Sequence, residues 1–168
     1  TTGSLVAGSP LEDATAATGL GGLSSFNAAG ICVADLAGDD GILDVFVTMH
    51  NTPDELYVGA GDGTFTEQGA ALGVASTGTS RACAVGDVDG DGSTLELLVT
   101  SWDSGYALYV PDGAGVFSNE GPSRGLLQSN PVFIVSFGDV DGDGDLDVYV
   151  HTFQGASELY VNNGTGYF

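Results

Sequence analysis

The sequence predicts an all-β chain made of three four-stranded antiparallel blades of the propeller type. Three observations predict this fold. Short apolar runs alternate with turns that are rich in the 28 glycines, a pattern typical of all-β chains. The stretch GDVDGDG occurs at residues 86–92 and again at 138–144, a step of 52 residues, and a fixed period of this size indicates a repeat architecture. Each period holds four short strand patterns, the number found in a propeller blade.

The composition limits the classes of function. With 168 residues, of which 42% are hydrophobic, the chain can form one domain with a core. Its 23 acidic and two basic residues give a net charge of −21, which excludes nucleic acid and anionic membranes as partners and favours cations. No apolar run approaches the roughly 20 residues that span a bilayer, so we expect no membrane insertion. The absence of an initial Met and of a signal-peptide pattern suggests a processed or excised segment.

The repeat extends over most of the chain. A weaker copy of the acidic stretch, ADLAGDDGILD, places Asp35 52 residues before Asp87. The triplet Leu-Tyr-Val, which begins at Leu56, returns at Leu108 and at Leu159. The predicted blade repeats are residues 28–74, 75–126 and 127–168.

Each repeat is interpreted as the same four strands. The first strand leads into the acidic loop and the second leaves it with apolar residues. The third carries Leu-Tyr-Val, and turns such as Asp62-Gly63 lead to the fourth, as in a hairpin. The expected ranges are 31–35, 83–87 and 133–139 for the first strands, 43–48, 95–100 and 146–152 for the second, 55–59, 107–110 and 158–161 for the third, with fourth strands starting at Phe65 and Phe117.

The two ends of the repeat array are unequal. Residues 11–20 align with residues 65–74, so residues 1–27 are interpreted as a leading fourth strand and a linker. The third repeat reaches Phe168, the position at which its own fourth strand should begin. We therefore expect the last blade to be completed by an N-terminal strand from another copy or by a neighbouring segment.

The acidic loops are candidate calcium sites. In the third loop Asp139, Asp141 and Asp143 stand at alternate positions, where their carboxylates can converge on one point, and Asp147 can close the coordination sphere. Asp145 is expected to contribute its backbone carbonyl oxygen. The set contains no His or Cys, which argues against zinc and copper, and Mg²⁺ accepts fewer carboxylates. The alternative is a solvated acidic turn, because Asp-Gly favours turns for conformational reasons alone.

The other two loops depart from this pattern by one inserted residue each. The second loop ends in a Glu, and the first lacks an acid at its third position. The candidate ligands are Asp87, Asp89, Asp91 and Glu96 in the second loop, and Asp35, Asp39, Asp40 and Asp44 in the first. The three loops together hold thirteen of the 23 acidic residues, and up to three Ca²⁺ ions are expected.

The stretches GDVDGDGDLDVYV and LYVNNGTGYF resemble the FG-GAP or VCBS-type repeat of integrin alpha subunits and of many extracellular proteins. This resemblance covers residues 28–168. It implies a β-propeller, calcium in the loop D-x-D-x-D-G-x-x-D, and an adhesive or scaffolding function at the cell surface or outside the cell.

Three further residues need an interpretation. Cys32 lies three residues before Asp35, whereas Cys83 lies four residues before Asp87. Since side chains alternate along a strand, the two thiols are expected to face opposite ways and to stay free. Asn163 begins a candidate N-glycosylation sequon.

The sequence favours a non-enzymatic structural protein. No nucleophile–base arrangement or phosphate loop occurs, and carboxylates two residues apart in glycine-rich loops suit a metal better than acid–base catalysis. Three blades are too few to close a propeller ring, so the chain is expected to self-assemble head-to-tail into a ring or a filament. The alternatives are a segment of a larger integrin-like adhesion protein, with its other blades as partners, and a module that binds carbohydrate or extracellular protein. In that module Trp102 could stack on a sugar.

Overall fold

The computed structural model describes residues 13–22, 27–103, 105–127 and 131–168, so the predicted strand residues 11–12 lie outside the described part of the chain. Within these ranges the chain forms strands and one short 3₁₀ turn at Leu20–Gly22. The strands are β1 (Ala28–Ala34), β2 (Asp44–Met49), β3 (Glu55–Gly59), β4 (Phe65–Glu67), β5 (Ser80–Gly86), β6 (Glu96–Ser101), β7 (Gly105–Pro111), β8 (Phe117–Asn119), β9 (Val132–Gly138), β10 (Asp147–Thr152) and β11 (Glu158–Tyr160).

The strands form three antiparallel sheets, which confirms the all-β prediction. Strands β1 to β4 form one four-stranded sheet in chain order, and β5 to β8 form a second. Strands β9, β10 and β11 form a three-stranded sheet with β10 in the centre. We call these sheets blade 1, blade 2 and blade 3. The order within each sheet matches the predicted blade, although the described residues do not close a ring.

The blades stack so that each sheet presents one face to the blade before it and the other to the blade after it. In β6, Leu97 packs with Phe46 of blade 1, whereas the next residue, Leu98, packs with Val148 of blade 3. Because successive side chains in a strand point to opposite faces, the central strands of a middle blade bury the side chains of both faces. Strand β6 is accordingly buried along its whole length.

Blade 3 leaves one face uncovered. Phe46 and Leu98 occupy equivalent positions on the second strands of blades 1 and 2, and both are completely buried. Their counterpart in blade 3, Tyr149, is 50% exposed. On the third strand Leu159 is 49% exposed, although the matching leucines of blades 1 and 2 are fully buried. The leucine of Leu-Tyr-Val therefore forms blade core in the first two blades but not in blade 3.

A turn at the end of each fourth strand joins one blade to the next. Gly19, Gly73 and Gly125 all have positive φ, between 84° and 95°. A Cβ at each would overlap the carbonyl oxygen of Phe65, Phe117 or Phe168, respectively, so only glycine fits. Residues 15–19 form the first of these three turns. The described part of the leading segment therefore has the same conformation as the turns that follow β4 and β8.

The expectation of two free thiols is wrong. Cys32 and Cys83 form a disulfide, with their Cα atoms 6.1 Å apart. Both lie on first strands, and β1 contacts β5 directly. Two stacked sheets meet through opposite faces, so residues of opposite parity in neighbouring repeats point into the same interface. Cys32 and Cys83 point to opposite faces of their own sheets, and these two faces meet between blade 1 and blade 2.

The disulfide should contribute strongly to the stability of the blade 1–blade 2 interface. It closes a loop with a sequence separation of 51 residues, for which chain entropy alone gives about 4 kcal/mol. We expect the double variant Cys32→Ala/Cys83→Ala to lose about that much free energy of unfolding in urea titrations. Dithiothreitol should destabilise the wild type but not the variant. Two titratable thiols in the oxidised native chain would contradict the assignment.

Candidate metal centre

The three acidic loops lie at the same end of their blades, between the first and second strands. The first carboxylate of each loop holds the loop by accepting backbone N–H groups. Asp87 accepts from Gly90 at 2.8 Å and from Gly92 at 3.0 Å. Asp139 accepts from Gly142 at 2.7 Å and Gly144 at 3.1 Å, and Asp35 accepts from Gly41. These bonds fold each loop back on its first acid.

Two of the loops gather their carboxylates into compact groups. Oxygen atoms of Asp87, Asp89 and Asp91 lie within 4.8 Å of one another, and so do oxygen atoms of Asp139, Asp141 and Asp147. Within the described residues the acids of the first loop form no such group. Each group offers only carboxylate oxygens, which are the donors that hard divalent cations prefer. The second and third loops therefore match a calcium-type site in donor chemistry.

The remaining predicted ligands lie beside these groups. Asp143 accepts a hydrogen bond from the backbone of Asp145 at 3.0 Å, and the Asp145 carboxylate lies against Gly164 in the next turn. In the first loop Asp40 accepts from the backbone of Ile42, and Asp39 has a positive φ of 46°. That these residues bind metal stays a prediction.

The closing acids of the first and third loops tie each loop to the end of the third strand of its blade. Asp44, Glu96 and Asp147 begin the second strands and are buried. One oxygen of Asp44 accepts N–H from Leu36 in the loop, and the other accepts from Gly59 at 2.9 Å.

Asp147 repeats this arrangement in the third loop. Its carboxylate accepts from Val140 in the loop and from Asn162 beyond β11, at 2.9 and 2.8 Å. The closing acid is thus a structural link as well as a candidate ligand.

In the second loop the closing acid, Glu96, lacks the backbone N–H partner that Asp44 and Asp147 have beside the third strand. The residue equivalent to Gly59 and Asn162 is Pro111, which has no backbone N–H. Glu96 accepts from Val88 at 2.8 Å through one oxygen, but its Oε1 is buried without a hydrogen-bond partner. Asp89 Oδ1 is a second buried oxygen without a partner. Unsatisfied buried carboxylate oxygens are costly, and a bound cation relieves that cost for the oxygens that it coordinates.

The surroundings shift the pKa values of several loop acids. Burial raises the pKa of Glu96 to about 7, and the charges of Asp89 and Asp87 add to this effect. Burial, followed by the charge of Asp143, also raises the pKa of Asp141. The backbone N–H groups of Thr94 and Ser93 lower the pKa of Asp91 to about 2. For Glu96 and Asp141 burial is the larger cause of the raised pKa, and the negative charge of neighbouring carboxylates adds to it.

Arg124 provides a nearby positive charge. It donates to Glu120 at 2.8 Å, and its Nη1 lies 3.6 Å from Asp89 Oδ2. Its guanidinium also lies 5.5 Å from the centre of the Tyr167 ring. The side chain therefore links the end of blade 2, the second acidic loop and the last turn of blade 3.

Two structural residues of this region were not anticipated. Asn162 is buried and donates its amide to the carbonyl oxygens of Val88 at 2.6 Å and Leu146 at 3.0 Å, which joins the second and third loops. Pro111 matters because of the hydrogen bond that it cannot donate. Both residues lie three positions after the Leu of Leu-Tyr-Val, and this equivalent position in the repeat is the sequence feature that could have identified them.

The glycosylation candidate is accessible. Asn163 is exposed, and its side-chain oxygen accepts from the hydroxyl of Thr165 at 2.7 Å. Glycosylation at Asn163 stays a prediction.

Antiparallel blades with an acidic loop between their first two strands define a propeller-type repeat protein. The FG-GAP-like repeat family model matches residues 39–94 and 93–150, which together make up two-thirds of the chain. The chain belongs to this family, as the sequence predicts. FG-GAP repeats are structural and adhesion modules of extracellular proteins and are not typically enzymes. The comparison with curated proteins found no match.

None of the helices in the described residues has the length and apolar character needed to cross a membrane.

Glu96 provides a test of the electrostatics in metal-free protein. Its folded-state pKa of about 7 lies above the ordinary value of 4.5, so the folded chain binds this proton more tightly than the unfolded chain. The stability that Glu96 contributes is complete below about pH 4.5 and is lost as the pH rises through about 7. In EDTA we expect Glu96→Gln to gain melting temperature relative to the wild type as the pH rises from 4.5 to 8. A constant difference across this range would contradict the assignment.

Proposed function

We propose that the chain is an extracellular, calcium-binding structural module whose blades assemble head-to-tail with further blades. The observation that carries the calcium proposal is the pair of carboxylate groups in the second and third loops. Ca²⁺ takes six to eight oxygens, which three carboxylates, a backbone carbonyl and water can supply. The two buried unpartnered oxygens of the second loop add a local demand for a cation.

Calcium would stabilise the fold at one end of each blade. The loops hold thirteen of the 23 acids, and the ion would offset the repulsion among them while it fixes the first two strands. We assign ions to the second and third loops and leave the first loop as a weaker candidate. The disulfide is typical of oxidising compartments, where calcium is also abundant, which supports an extracellular location.

The open face of blade 3 supports assembly with another blade. Ile134, Tyr149, Leu159 and Val161 are exposed on this face, whereas the matching faces of blades 1 and 2 are covered by the blade that follows. An exposed face of this kind favours an interaction. In the repeat, this face is covered by the first-strand side of the blade that follows. Strand β1 of another copy offers such a surface, because its Ile31 and Val33 are exposed.

The contact between the leading segment and blade 1 supports the proposal that this segment completes a blade in front of blade 1. Phe65 donates its N–H to the carbonyl of Thr18 at 2.8 Å. Phe117 donates to Leu72 at the same distance, and Phe168 to Arg124. The segment thus contacts blade 1 as the end of a preceding fourth strand would. If another copy's blade 3 stacks on blade 1, residues 11–13 can pair with the open edge of its β11.

Two alternatives to self-assembly are a longer parent chain that supplies the covering blade and a module that binds an external ligand. A longer parent chain could provide the covering blade itself, as in an integrin-like adhesion protein. A carbohydrate- or protein-binding function would use the loops at one end of the blades. Head-to-tail contact between copies remains our proposal because both complementary surfaces lie on this chain.

The calcium proposal can be tested with matched variants of the third loop. We expect calcium to raise the free energy of unfolding by about 2.7 kcal/mol per site when its free concentration is 100-fold above Kd, and EDTA to reverse this. Asp139→Asn/Asp141→Asn should remove most of the gain at this site. Asp145→Asn is the control, because Asp145 lies in the same loop but outside the carboxylate group. If EDTA leaves the melting temperature of the wild type unchanged, the proposal fails.

Assembly can be tested by transferring the disulfide to the interface between copies. Ser136 on β9 corresponds to Cys32, and Ile31 on β1 corresponds to Cys83; both are exposed. We expect Ser136→Cys/Ile31→Cys to form a ladder of disulfide-linked oligomers under mild oxidation. Ser136→Cys/Ser118→Cys is the matched control, because Ser118 is exposed on a fourth strand away from the proposed interface. Equal cross-linking of the two variants would contradict the proposed stacking.

A further inference from the structure

A cavity lies at the end of the blades opposite the acidic loops. It has a volume of about 380 Å³ and is lined by Asn27, Ala28, Ala29, His50, Arg81 and Phe133. Ala29, Arg81 and Phe133 stand at equivalent positions on the first strands of the three blades, six residues before the first Asp of each loop. The cavity therefore forms where the three innermost strands begin. Its volume lies in the range of small-ligand sites.

Arg81 is an unusual side chain in this protein. It is one of only two basic residues against 23 acids, yet both ion pairs among the described residues involve Arg124 and neither involves Arg81. Its Nε is buried and has no hydrogen-bond partner. A guanidinium has five N–H donors that match a carboxylate in a bidentate geometry. None of the acids in the described residues forms an ion pair with the Arg81 guanidinium.

Aromatic rings hold the guanidinium in place. Its Cζ lies 5.0 Å from the centre of the Trp102 ring and 5.9 Å from that of Phe133. Trp102, Phe133 and Phe153 pack on one another, with ring centres 4.8 to 5.6 Å apart. Cation–π contact fixes the plane of an arginine and leaves its edge free to donate. The packing of Trp102 on these rings thus has a second consequence, a positioned cation at the cavity wall.

His50 adds a polar group to the same cavity. Its Nδ1 lies 2.8 Å from the side-chain amide nitrogen of Asn51, and the amide oxygen of Asn51 accepts from the hydroxyl of Thr79 at 3.3 Å. A histidine ring offers a hydrogen-bonding nitrogen to a ligand hydroxyl whichever ring nitrogen carries the proton. Asn27 supplies a further amide in the wall.

We propose that this cavity binds an acidic sugar of the hexuronate class. Arg81 would receive the carboxylate, the ring of Phe133 would pack on the apolar C–H face of the sugar, and His50 and Asn27 would bond its hydroxyl groups. A charged fork, an aromatic wall and two neutral polar groups suit a sugar acid better than a simple anion. The lining contains no acidic residue, and the net charge of −21 is screened beyond about 8 Å at physiological ionic strength.

The position makes this site independent of calcium binding. The acidic loops follow the first strands, whereas the cavity lies where those strands begin. Failure of the calcium proposal would leave the sugar proposal standing, and the reverse also holds. The experiment below therefore uses the calcium-loaded full chain throughout.

The test compares two sugars that differ only at C6. Methyl β-D-glucuronide and methyl β-D-glucoside are titrated into the protein by calorimetry, and Trp102 fluorescence is recorded in parallel. Trp102 is the only tryptophan of the chain and lies under Arg81, so its emission reports on this site. We expect the glucuronide to bind at least tenfold more tightly than the glucoside, with a saturable change in fluorescence.

Two variants test the role of Arg81, and simple carboxylates test whether the cavity selects a sugar. Arg81→Gln should abolish the preference for the glucuronide, and Arg81→Lys should retain only part of it because the fork is lost. Equal affinity for the two sugars in the wild type would overturn the proposal, whatever the stability of the variants. So would calorimetric binding without a change in Trp102 emission. Acetate or glycylglycine binding as tightly as the glucuronide would also overturn it, since the cavity would then select a carboxylate alone.

Discussion

The packing of unlike faces of neighbouring sheets is the constraint on which the rest of this structure depends. Each blade is a twisted antiparallel sheet with two apolar faces, and a single sheet in water can bury neither. Stacking solves this only when every blade has a neighbour on both sides. Blade 2 satisfies the condition, since Leu97 is buried against blade 1 and Leu98 against blade 3. Blade 3 does not, and its exposed Tyr149 and Leu159 make a further blade the simplest partner.

Most of the fold was predictable because the same pattern of apolar strands and glycine-rich turns occurs in three copies along the sequence. The strand expected at residues 55–59 is β3 (Glu55–Gly59), and the other described strands begin within three residues of their expected positions. The acidic loops were also predictable, because alternating aspartates separated by glycines give a loop that can fold onto its first acid. Two of the three predicted ligand sets are compact; one predicted member, Glu96, lies outside the group of the second loop, and two, Asp143 and Asp145, lie outside that of the third.

The remaining features depend on contacts between blades, which a single repeat does not encode. Alternation along a strand says which residues share a face, but it does not say which faces meet. That is why Cys32 and Cys83 were expected to be free, although they are bonded. The unpartnered oxygen of Glu96 is an exception, since it depends on Pro111, which lies in β7 of the same blade. The cavity at Arg81 draws on three blades and has no signal within any one of them.

The two ends of the blades therefore have opposite chemistry. Acidic loops gather at one end, where a cation would offset their charge, and a positioned arginine lies at the other. Between them the stacked faces carry the stability and leave blade 3 open. Sedimentation velocity of the calcium-loaded chain over a range of concentrations tests this account most directly. The account predicts species that grow beyond the 16.8 kDa chain as concentration rises, whereas a single 16.8 kDa species at every concentration would contradict it.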